Sequence, residues 1–120
     1  MAVALLLANS AYAECTGLSG RPAIESCMTA EVETLDAELN STYKSVLKAL
    51  DQPNTELDNY SNQRKGLIAA QRAWLKFITL DCGFIYTSKE NYSGRGFAFL
   101  ECKKDRLQKR INELRRIEIM

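Results

Sequence analysis

The sequence predicts a small all-α domain: a disulfide-stabilised three-helix bundle, mainly antiparallel. Three observations predict it. Apolar residues recur at alternating steps of three and four over long stretches, which is the period of a helix face and not of a strand. Among 120 residues there are only 6 Gly and 2 Pro, too few for a protein built of many turns. Four cysteines follow a short apolar N-terminal stretch, the usage of an exported domain that crosslinks a modest core.

The first helix is expected over about residues 22–50. Pro22 suits a first helical position, where its missing N–H costs nothing. The stripe Met28, Val32, Leu35, Leu39, Tyr43, Val46 and Leu50 follows, over roughly 40 Å of helix. Glu25, Glu31, Glu33, Asp36, Glu38, Lys44 and Lys48 are assigned to the other faces. Pro53 ends this helix because it cannot continue the hydrogen-bond ladder. Thr55 with Asp58 three residues on resembles a capping box that starts the second helix. Its stripe is Leu57, Tyr60, Leu67, Ala70 or Gln71, Trp74, Ile78, Cys82 and Ile85, interrupted at Arg64. Residues 87–96 are a loop by composition. A third helix is expected from about Phe97, with Leu100, Leu107, Ile111, Leu114 and Ile117 or Glu118 on its stripe. The short Pro53 connection makes the first two helices antiparallel neighbours.

Residues 1–13 read as the remnant of a signal peptide. Ala2 to Ala8 is apolar, and Ala11-Tyr12-Ala13 is a small-x-small cleavage site, which leaves residues 14–120 as the mature domain. No Lys or Arg precedes the apolar run, so the true start is expected upstream of Met1. Export implies a periplasmic or secreted protein, where Cys15, Cys27, Cys82 and Cys102 form two disulfides. The topology brings all four to one end of the bundle, and three pairings remain open.

The chain has no His. That removes His-dependent nucleophilic sites, His general bases and His metal sites together. No CxxC spacing suggests zinc or dithiol exchange, and nothing places two carboxylates in a cleft. The reading is therefore a non-enzyme with no catalytic residue, no metal and no cofactor.

Net charge is +1 but unevenly spread: residues 14–58 carry −6 and residues 59–120 carry +7. Two readings stand. The acidic first helix and the basic third helix neutralise each other inside the bundle, or the surface is bipolar. In the second case Glu31, Glu33, Asp36 and Glu38 receive a basic protein. Lys103, Lys104, Arg106, Lys109, Arg110, Arg115 and Arg116 then face an anionic surface such as a membrane. Nucleic acid is not an expected partner of an exported protein.

Cys27, Asp36, the Leu39-Asn40-x-x-Tyr43 segment, Leu67, Ala70-Gln71-Arg72-Ala73-Trp74, Cys82, Cys102, Arg110 and Leu114 together resemble the LprI-like N-terminal domain family, named for a lysozyme inhibitor. The family's Arg-Asp pair after the Trp is replaced here by Ile78 and Thr79, and its Thr between the last Cys and the Arg is absent. The resemblance implies an exported helical domain that occludes a partner, lysozyme or another envelope protein. The alternative is an accessory envelope module that binds membrane, peptidoglycan or another envelope protein through its basic third helix. Trp74 and Tyr43 read as core rather than partner anchors. Asn40 and Gln71 are expected to bond to a neighbouring helix or loop. Tyr92 and Arg95 fall in the loop, where binding residues often lie. The sequence leaves the oligomeric state open.

Overall fold

The computed structural model describes Cys15 and residues 17–118. The signal remnant expected over residues 1–13 lies outside them. Three helices make up the fold: α1 (Arg21–Ala49), α2 (Tyr60–Ser88) and α3 (Arg95–Glu118). No strand occurs among the described residues.

Helix α1 starts as expected. Gly20 takes φ 89°, a conformation that L side chains resist, and turns the chain into a first turn containing Pro22. Met28, Leu35, Leu39 and Val46 of the stripe are buried, and Val32, Tyr43 and Leu50 pack against the same core. At the far end Gln52 Nε2 donates to Ala49 O at 2.6 Å.

The start of α2 differs from expectation. Thr55 Oγ1 accepts from Asp58 N at 2.9 Å, as a capping box would. The Thr55 N–H also donates to Asp58 O at 2.8 Å, so the pair closes a local turn and not a helix. The helix begins at Tyr60, capped by Asn59 Oδ1 accepting from Asn62 N at 3.1 Å. Asn54 Oδ1 accepts from Ser61 N and satisfies another N-terminal amide. Leu57 consequently lies outside the helix at 95% exposure and not on the stripe. Gln71, Ile78 and Cys82 hold the buried line.

Helix α3 lies along both other helices, whereas α1 and α2 touch each other little. The expected antiparallel hairpin exists in direction, but its two arms are not each other's main neighbours. Ten residues separate Ala49 from Tyr60, enough to hold the arms apart and admit the α3 stripe. Partners along α1 and α3 rise together (Glu31 with Lys104, Glu38 with Arg115), so these helices run parallel. Those along α2 and α3 run in opposite senses (Gln71 with Arg110, Asp81 with Arg106).

The core has two parts. Leu35, Leu39 and Val46 of α1 meet Leu107, Ile111 and Leu114 of α3. Ile78 and Cys82 of α2 meet Cys102 of α3, with Ile85 and Phe99 alongside. Trp74 packs against both parts and so joins them. The disulfides pair Cys15 with Cys27 and Cys82 with Cys102, and none of the four cysteines is free. Ile117 is 43% exposed, beyond the core that its stripe position suggested.

Candidate functional site

Two pairs of opposite charges face each other across α1 and α3. Lys104 Nζ lies 2.9 Å from Glu31 Oε2, and Arg115 pairs with Glu38. Arg106 bridges Asp81 of α2 and Asp105 of its own helix, both at 3.0 Å. Lys109 also reaches Asp105, and Arg110 lies 3.7 Å from Glu113. Most cations of the third helix are therefore ion-paired: Lys104, Arg106 and Arg115 reach the other two helices, and Lys109 and Arg110 reach acids of α3 itself. Of the seven cations proposed for an anionic surface, Lys103 and Arg116 meet no carboxylate among the described residues.

Glu31 departs most from expectation. It is 7% exposed, because it sits three residues after Met28 and four before Leu35 and so shares their face. Neither carboxylate oxygen receives a well-directed hydrogen bond; charge attraction to Lys104 holds the group. Lys104→Met leaves that carboxylate buried without its counter-charge. The expected loss is about 2 kcal/mol, below the usual range for a broken buried pair because the Lys104 side chain is 25% exposed. Urea unfolding of Lys104→Met beside Glu31→Leu/Lys104→Leu checks this: the double variant recovers most of the loss if the uncompensated charge is its cause.

The hydrogen bond from Lys109 to Asp105 holds the Asp105 carboxyl below its usual range. A depressed carboxyl adds stability at neutral pH that disappears as pH falls through about 4 and below. Asp105 is half exposed, so solvent screening keeps this effect small.

Of the four acids singled out in the sequence, Glu31 and Glu38 point into this seam. Glu33 and Asp36 are exposed on the outer side of α1 and belong to no ion pair among the described residues. Asn40 is exposed too. The bond expected of it to a neighbouring helix or loop is not made among the described residues, since one residue of helix rotation carries it off the Leu39 line.

The remaining motif residues do converge. Gln71 is 4% exposed, and its Oε1 accepts from Arg110 Nε at 2.9 Å. The Arg110 guanidinium lies 5.9 Å from the Trp74 ring centre, within cation–π range. Tyr43 and Leu67 pack against the core edge beside Trp74. This cluster fastens α2 to α3 and offers no reactive group. At the other end, Arg95 opens α3, lies 4.8 Å from the Tyr86 ring and donates to Glu90 O. Tyr92 stays exposed under the Lys89 ammonium.

Cys15, Cys27 and Glu31 bring ligand-type atoms within 4.8 Å of one another. The two sulfurs are bonded to each other, so no thiolate is present to hold an ion.

The family model described as lysozyme inhibitor LprI matches residues 13–114, a span that contains all four cysteines and the Gln71–Trp74–Arg110 cluster. The chain belongs to the lysozyme inhibitor LprI family. No curated protein and no solved structure matches it. Within this LprI domain the signature residues now have different roles. Gln71, Trp74, Tyr43, Arg110 and the cysteines build the fold, while Asp36 and Asn40 face solvent.

Proposed function

We propose that this LprI domain, in the oxidising periplasmic or extracellular space, binds a lysozyme and blocks it by occluding its cleft. Family membership supports the partner, and the exposed acids of α1 supply a surface for it. Glu33 and Asp36 are the carboxylates of the singled-out set that remain available, and they would steer association with a basic enzyme. Salt weakens that steering because exposed charges are screened. The inhibitor acts by covering its partner, and its own residues transfer no group.

The test is titration of the oxidised protein into a cell-wall-clearing assay with several lysozymes, beside a reduced and alkylated sample. Inhibition that requires the disulfides is expected. Glu33→Lys/Asp36→Lys is expected to weaken it about tenfold, chiefly through slower association. Full inhibition by that variant would remove α1 as the contact face. Failure against every lysozyme would remove the inhibitor reading itself.

A further inference from the structure

Helix α2 carries two apolar lines, and the bundle uses one. Gln71, Ile78 and Cys82 face α3. Ala70, Ala73, Phe77, Leu80 and Phe84 recur at steps of three and four on the side turned away. Phe77 is 57% exposed, Leu80 64% and Phe84 68%, too much for residues that pack within the domain. Lys65, Arg72 and Lys76 form an exposed ridge beside this stripe, by the 3.6-residue turn of the helix. None of the three meets a carboxylate among the described residues. Asp81 is the one acid of α2, and it is paired with Arg106.

We propose that the outer face of α2 rests on an anionic lipid bilayer. Phe77, Leu80 and Phe84 enter the boundary between headgroups and acyl chains, and Lys65, Arg72 and Lys76 meet the phosphates. An apolar stripe with an adjoining cationic ridge on an exposed helix face is the pattern of a helix lying in the membrane interface. The helix is not long and apolar enough to cross. A second copy is the poorer occupant. Pairing the stripe with itself would bring two such ridges together, and the one acid of each α2, Asp81, is already paired with Arg106. This surface is distinct from the acidic face of α1, so membrane contact and lysozyme binding are separable.

The oxidised protein is to be sedimented with vesicles of phosphatidylcholine, with and without phosphatidylglycerol, over a range of salt. Binding to the anionic vesicles alone, released by salt, is expected. Phe77→Ser/Leu80→Ser/Phe84→Ser and Arg72→Gln/Lys76→Gln should each lower it about tenfold or more. All five side chains are exposed, so circular dichroism and thermal unfolding should match the parent. Lys103→Gln/Arg116→Gln on α3 should bind like the parent. The proposal is overturned by absence of binding to anionic vesicles, or by binding that the α2 variants retain. It is also overturned if sedimentation without lipid shows a dimer that the triple serine variant abolishes, which would make a second copy the occupant.

Discussion

Replacing Cys82 and Cys102 together by serine is expected to lower the unfolding free energy by about 4 kcal/mol. About 3 kcal/mol comes from the freedom the unfolded chain regains when a crosslink spanning 20 residues is lost. The rest comes from placing two hydroxyls where Cys82 is fully buried and Cys102 nearly so. In a domain whose total stability is about 5–15 kcal/mol, that is a large fraction. The Cys15–Cys27 bridge spans 12 residues, and loop length alone makes it almost as valuable. It pins only a short leading segment to the first turns of α1, whereas Cys82–Cys102 joins two helices inside the core. Cys15→Ser/Cys27→Ser should therefore lose clearly less. Urea unfolding of both double variants decides this. Equal losses would mean that loop closure, and not the position of the bridge, sets the effect.

Leu114→Ala is expected to cost about 3 kcal/mol, through lost burial plus the cavity left behind. Leu114 is fully buried between α1 and α3 with Leu35, Leu39, Val46, Leu107 and Ile111. Those neighbours come from two long helices that cannot easily close in on the gap. Leu57→Ala is the matched control: the same change at 95% exposure should stay within about 0.5 kcal/mol. The pair separates the two apolar leucines that the sequence pattern alone treats alike. A large loss at Leu57 would place α2 in the earlier register, beginning at Thr55. A negligible loss at Leu114 would contradict the packing of α3 against α1.

The number of helices and their spans, to within a few residues, were legible in the sequence. The sequence also set most of the inner line of each helix, with Leu57, Ile117 and Glu31 as exceptions, and the gathering of the cysteines near one end. These follow from local chemistry: a 3.6-residue period, Pro22 and Pro53, and a glycine-containing loop before Arg95. Gln71, Trp74 and Arg110 were legible as a set only through their resemblance to the family, because their contact spans two helices far apart in sequence. The start of α2 was misplaced because Thr55 and Asp58 satisfy a turn as well as a cap; Asn59 was the signal that marked it. Which cysteines pair and which acids stay outside were decided by tertiary structure. One cause underlies these outcomes. Periodicity shows which residues share a face, but only the placement of α3 along both α1 and α2 decides which faces are buried. That placement turned Glu31 inward to Lys104, paired Arg106 and Arg115 with acids of α2 and α1, and left Phe77, Leu80 and Phe84 outside.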